Sequence, residues 1–124
     1  MTPSLQFSGT TTYEQLEQAS AQELDQADFG IIRLSQGGEV MYYNQYESDL
    51  SGVAQSDAVG KQFFTQIAPC TNNFMVAAKY EQPTAILDET LPYVFTYNMA
   101  PTKVHLRLLA QPAEAHAYLL VQKD

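Results

Sequence analysis

The sequence is poor in cysteine, in positive charge and in tryptophan. Its 124 residues hold one cysteine, no tryptophan, and six Lys+Arg against fourteen Asp+Glu. A single cysteine excludes an internal disulfide, and no cluster of ligands beside it has the spacing of a structural zinc site. A lone thiol suits a reducing compartment, so the chain is read as cytoplasmic. The formal net charge of -8 sets it against nucleic acid and anionic lipid, both of which repel an acidic surface. No apolar run is long enough to span a bilayer, and Met1-Thr2-Pro3-Ser4 lacks the basic and apolar regions of a secretion signal. What is present is globular. Hydrophobic residues make up 45% and charged residues 16%, which suits one domain with one core over residues 1–124.

Two helix starts stand near the N-terminus. Thr12-Tyr13-Glu14-Gln15 and Ser20-Ala21-Gln22-Glu23 both have capping-box spacing, in which a hydroxyl and an acceptor three residues on cover free backbone N–H groups. They predict two short helices packed over something larger. Phe29 to Leu34 reads as a strand, Ser35-Gln36-Gly37-Gly38 as a turn, and Glu39 to Tyr43 as the returning strand of a hairpin. Late in the chain Tyr93, Phe95, Tyr97 and Met99 alternate with Val94, Thr96 and Asn98, which puts three aromatics and a methionine on one sheet face. Val104, Leu106 and Leu108 alternate with His105 and Arg107, and Ala117 to Val121 makes the closing strand. Between the two strand sets, from roughly Asn44 to Thr90, short helices and loops are expected. One helix is predicted from about Asn73 to Gln82, with Phe74, Ala77 and Ala78 on a shared face and Pro83 as its stop. Two strands, a helical middle and three strands make an α+β domain with an antiparallel sheet.

Two features could carry chemistry. Cys70 follows Phe63-Phe64-Thr65-Gln66-Ile67-Ala68-Pro69. A free cysteine is most often a small buried apolar residue, and a nucleophilic one needs a base or a local positive field. His105 points to solvent or to the far side of the sheet, and Lys61 is the nearest cation in sequence, so a Cys–His hydrolase has no support here. Tyr43 and Glu47 are four residues apart and share a face if the turn after Asn44 is helical. A glutamate on a short turn is ordinarily exposed. Inside a cavity walled by Phe63, Phe64, Ile67, Phe95, Tyr97 and Met99, the phenol and a protonated carboxyl would be two donors awaiting an acceptor or an anion.

The ordered set of short motifs resembles the photoactive yellow protein family of blue-light sensors, which have the PAS fold. The residues that carry the resemblance are Phe29-Gly30, Tyr43-Asn44 with Glu47, Asp49 and Ser51-Gly52, Val59-Gly60-Lys61 with Phe63-Phe64, Ala68-Pro69-Cys70-Thr71, and Phe95 through Lys103. It covers essentially the whole chain, with loop-length differences between Cys70 and Tyr93. The resemblance implies a PAS fold with a central five-stranded antiparallel sheet flanked by short helices. Residues 1–27 would form an N-terminal helical cap and residues 28–124 the core. It implies 4-hydroxycinnamic (p-coumaric) acid attached to Cys70 as a thioester, with Tyr43 and Glu47 bonded to its phenolate oxygen. Ser51, where the family usually has threonine, would support Tyr43. Phe63, Ile67, Ala68, Phe95, Tyr97 and Met99 would wall the pocket.

A free phenol titrates near ~10 and a free glutamate near ~4.3. The pocket is expected to reverse that order in darkness, because burial penalises a compact carboxylate more than a phenolate that spreads its charge along a conjugated tail. Light would turn the chromophore double bond from trans to cis, and proton transfer from Glu47 would leave a buried carboxylate that the protein relieves by loosening its N-terminal helices. The implied protein is a monomeric sensor with a downstream signalling partner and no turnover, hence not an enzyme. Several positions depart from the family pattern. Val53 stands where arginine is common and implies a drier lid with altered recovery speed. Thr96 stands for aspartate, and Gln45-Tyr46 for smaller residues. The rival reading is a PAS module that binds a diffusible ligand or a protein and leaves Cys70 unmodified. Colour would discriminate the two.

Overall fold

The structure is a computed structural model and describes residues 7, 12–73, 75–80, 86–95, 101–111, 114 and 116–123. Five strands form one antiparallel sheet: β1 (Gly30–Ser35), β2 (Val40–Tyr43), β3 (Leu87–Phe95), β4 (Thr102–Ala110) and β5 (His116–Lys123). Their order across the sheet is β2-β1-β5-β4-β3. The first and last strands therefore pair at the centre, with Ile31 opposite Leu120 and Arg33 opposite Tyr118.

Both faces of the sheet are covered. Ile32, Leu34, Tyr43, Leu106, Leu108, Leu119 and Val121 belong to an inner core, under the connecting helices. Ile31, Leu109, Tyr118 and Leu120 belong to an outer core with Phe29 and with Tyr13, Leu16 and Leu24 of the N-terminal helices. This explains why Tyr118 to Val121 reads as a continuous apolar run. A strand covered on both sides has no polar face to alternate with.

The two N-terminal helices, α1 (Tyr13–Gln18) and α2 (Ala21–Gln26), start at the two capping boxes. Thr12 and Gln15 satisfy each other's backbone N–H groups, as do Ser20 and Glu23. Helices of six residues are too short to persist alone, so their stability comes from the face they bury on the sheet.

Two elements differ from the expectation. Strand β3 begins at Leu87, well before Tyr93, and runs through Pro92. It is an edge strand, the position in a sheet that tolerates a residue without an N–H. The predicted helix from Asn73 to Gln82 is, among the described residues, only a 3-10 helix over Ala77–Tyr80. Asn73 caps the turn, its side-chain oxygen accepting the N–H groups of Met75 and Val76, but the Ala78 N–H then bonds the Asn73 carbonyl five residues back instead of four, and α-helical spacing is lost. Phe74, Glu81, Gln82 and Pro83 lie outside the described residues.

Candidate functional site

The site is built on helix α3 (Gln45–Ser51), which follows β2 directly. Asn44 starts it, accepting the Glu47 N–H at 3.1 Å on its side-chain oxygen. The same oxygen accepts the Ile31 N–H at 2.9 Å, and the side-chain amide donates to the carbonyls of Leu24 and Phe29 at 2.8 and 3.0 Å. One buried asparagine thus fixes the aim of α3, the entry to β1 and the end of α2 together. Helix α3 stops at Gly52, whose φ of 79° is left-handed backbone that favours glycine.

Glu47 and Ser51 stand four apart on one face of α3, and Tyr43, the last residue of β2, reaches the helix through Ser51. Tyr43 and Glu47 are 0% exposed and Ser51 is 1% exposed. The Tyr43 hydroxyl donates to Ser51 Oγ at 2.7 Å, and Ser51 Oγ also accepts the Val53 N–H at 3.2 Å. The carboxyl of Glu47 lies against Gly30. A Cβ built on Gly30 would collide with Glu47 Oε1 and come within 3.2 Å of its Cβ and Cδ. Glycine at position 30 is what lets the carboxyl lie this close to β1.

Charge is distributed away from this layer. Lys61, Lys79, Lys103 and Lys123 are exposed, and Arg33 and Arg107 stand at outer-face positions of β1 and β4. These are all six Lys and Arg of the chain. Glu47 is wholly buried, and burial penalises an ionised carboxylate. Val53, on the following loop, packs against the inner core.

Cys70 is reached through a π-helical turn over Phe63–Ile67, closed by the Ala68 N–H on the Phe63 carbonyl at 2.8 Å, and a 3-10 turn over Pro69–Thr71. Phe63, Ala68 and Phe95 are buried in the inner core, and Ile67 and Cys70 pack against it. The structure therefore brings Tyr43, Phe63, Ile67, Ala68, Cys70 and Phe95 to one cluster, beside α3. Tyr97 and Met99 lie outside the described residues. His105 occupies an outer-face position opposite Gln122, and His116, opposite Ser35, meets Glu17 of α1. No group of three His, Cys, Asp or Glu among the described residues could hold a metal ion, and no helix among them is long and apolar enough to cross a membrane.

Sequence reasoning missed how the Cys70 segment is held. Its backbone carbonyl accepts from the Tyr93 hydroxyl and from Asn73 Nδ2, the latter at 3.2 Å, while Asn73 Nδ2 also meets the Tyr93 hydroxyl at 2.7 Å. The inward direction of Tyr93 was readable from its alternation with Phe95. Its pairing with Asn73 was not, because it depends on the turn that replaces the expected helix.

No protein-family profile matches the sequence. Photoactive yellow protein from Halochromatium salexigens is 32% identical over 110 residues, which cover 87% of this chain and 88% of that protein. The crystal structure of the photoactive yellow protein domain from the sensor histidine kinase Ppr of Rhodospirillum centenum matches with a TM-score of 0.80 at 28% identity, over 89% of this chain and 98% of that one. The PAS domain of an HTR-like protein from Haloarcula marismortui matches with a TM-score of 0.65 at 13% identity, over 90% and 92% of the two chains, a likeness of fold alone. The fold is thus a PAS fold, and identity of this extent along nearly all of both chains makes this chain a member of the photoactive yellow protein family.

Proposed function

We propose that the protein is a blue-light photoreceptor carrying p-coumaric acid as a thioester on Cys70. The observation that supports this most is Glu47. A carboxyl wholly buried on the same helix face as Ser51, which holds the Tyr43 hydroxyl, is costly in a core that serves only to hold a fold. A protonated carboxyl and a phenol buried beside apolar side chains suit a ligand with an anionic oxygen and a flat apolar body. Phe63, Ile67, Ala68 and Phe95 offer apolar walls, with Tyr97 and Met99 assigned to the same wall from the family resemblance. The bound chromophore would supply visible absorption and a trans-to-cis isomerisation.

The chain's own residues do the rest. Glu47 holds a proton in darkness, because an ionised carboxylate there loses more hydration than its surroundings return. Tyr43 and Glu47 each offer a charge-assisted hydrogen bond to an anionic oxygen. Ser51 supports Tyr43, since either hydroxyl of that pair can turn to donate. Loss of the proton from Glu47 leaves a buried negative charge beside Gly30, and such a charge costs several kcal/mol, roughly, until the surroundings rearrange. Glu47 is one helical turn from Asn44, and Asn44 holds α2 through the Leu24 carbonyl. The strain therefore reaches α2, which belongs to the cap assigned to residues 1–27 over the core of residues 28–124. The resulting signal is a population shift read by a downstream protein, without turnover.

The test is a visible spectrum of the purified chain after incubation with activated p-coumaric acid, first in darkness and then under blue light. A band that bleaches and returns, and that Cys70→Ala abolishes, establishes the reading. Folded protein that takes up no colour refutes it and leaves an uncoloured PAS module.

A further inference from the structure

Contacts from opposite faces of the sheet meet at one residue, Tyr118 of β5. On the inner side, the Tyr80 hydroxyl donates to the Tyr118 carbonyl at 2.7 Å. Tyr80 closes the 3-10 turn over Ala77–Tyr80, and that turn is tied back by the Ala78 N–H on the Asn73 carbonyl at 3.1 Å. Asn73 in turn grips the carbonyl of Cys70. On the outer side, the Tyr118 hydroxyl donates to Glu17 of α1 at 2.6 Å and accepts from Arg33 Nε at 2.8 Å. Glu17 also meets His116 Nδ1 at 3.0 Å, and Arg33 reaches the Leu16 carbonyl at 3.2 Å. The Tyr13 ring meets the Tyr118 ring edge-on at 5.5 Å, and its hydroxyl donates to the His116 carbonyl at 2.7 Å.

We propose that Tyr118 is a relay residue coupling the segment that carries Cys70 to helix α1 through the sheet, by a route separate from Asn44. It rests on the photoreceptor reading only for what sets the relay in motion. The coupling itself belongs to the bare chain.

The geometry supports a mechanical link. The carbonyl and the phenol of Tyr118 belong to one residue of one strand, so a shift of β5 at that peptide moves the ring against α1. A hydroxyl-to-carboxylate bond of 2.6 Å is short and charge-assisted, and a small displacement weakens it steeply. Burial pushes the Tyr80 phenol well above its ordinary value. Burial and then Glu17 push the Tyr118 phenol the same way, so both remain donors. Tyr80 and His116 also border a cavity of about 510 Å3, with Phe64 and Ala77 on its wall.

The test is a double-mutant cycle on the full chain, Tyr80→Phe against Glu17→Gln, read as amide hydrogen exchange of residues 12–18. Tyr80→Phe is expected to speed exchange there about 3- to 10-fold, and Glu17→Gln about 10-fold or more. The two side chains do not touch, so independent effects would multiply. A relay predicts a double variant well short of that product, with exchange in β1 and β5 unchanged. Tyr118→Phe with Glu17→Gln should fall short in the same way, because that pair is in contact. Rates that multiply, a Tyr80→Phe variant with wild-type exchange in α1, or an equal rise across α1, β1 and β5 would each overturn the relay. Colour formation with p-coumaric acid plays no part in these outcomes and decides the photoreceptor reading separately.

Discussion

Replacing Gly30 by alanine tests the site through packing alone. Gly30 does not have a positive φ, so alanine meets no backbone penalty. The added Cβ instead collides with the Glu47 carboxyl and crowds its Cβ and Cδ at 3.2 Å. Overpacking of this kind costs about 1–3 kcal/mol. Reduced freedom of the unfolded chain returns about 0.4–1 kcal/mol. The net expectation is a loss of roughly 0.5–2 kcal/mol, visible as a urea midpoint lowered by about 0.5–1 M. The decisive arm is Glu47→Ala. With the carboxyl gone the alanine methyl has space, and Gly30→Ala should become neutral or stabilising, a coupling of about 1–3 kcal/mol. If Gly30→Ala costs the same in both backgrounds, the carboxyl does not lie against β1 and the account of the buried site fails.

Other expectations follow from named contacts. Glu47→Gln should remain coloured, with a shifted absorption band and a weakened structural response to light, and an undiminished response would count against the proton switch. Burial first, then Glu17 and Glu114, pushes the Tyr13 phenol up to about 12, and burial first, then Asp25, does the same for Tyr42. A phenol raised in the folded state stabilises fully below its ordinary value of ~10, and that contribution drains as pH climbs towards 12. Stability should therefore fall between about pH 10 and 12, and a Tyr13→Phe, Tyr42→Phe double variant should lose much of that slope in pH-dependent denaturation. Arg107, 3% exposed, holds Asp88 through two bonds of 2.9 Å, while Asp88 is 46% exposed. Asp88→Asn should cost about 1–2 kcal/mol, less than a fully buried pair because solvent screens one partner. Thermal melts at low and high salt should show the gap between the two proteins narrowing as salt rises.

Local signals were legible and long-range ones were not. Both capping boxes could be read because each closes within three residues, and the hairpin because Gly37-Gly38 separates two apolar runs. The helical turn that carries Glu47 could be read from Asn44, but Tyr43 stands on β2 outside that helix and meets it only through Ser51. Burial of Glu47 could not be read that way. It depends on Gly30, seventeen positions earlier, and a glycine in a strand does not announce which atom needs its missing Cβ. Strand β3 was cut short because Asp88, Glu89 and Pro92 look unlike a strand, whereas an edge strand accepts charge and proline. The helix after Cys70 reads as too long because apolar spacing does not reveal the five-residue bond from the Ala78 N–H to the Asn73 carbonyl. Tyr118 read only as part of the closing strand, since nothing in its neighbours reveals that its phenol and its carbonyl serve opposite faces.

A single sheet walls off two compartments, and this shapes which sequence changes the protein can absorb. Along β5, Tyr118 and Leu120 face the cap while Leu119 and Val121 face the site. A substitution at one parity retunes one compartment and leaves the other's lining in place, so cap and site can drift at separate paces. Gain or loss of one residue within the strand does the reverse. It turns each side chain beyond it to the opposite face, putting the phenol of Tyr118 into the pocket layer and a leucine where Glu17 expects a hydroxyl. Length variation should therefore collect in the connections, and the strands should vary by replacement alone.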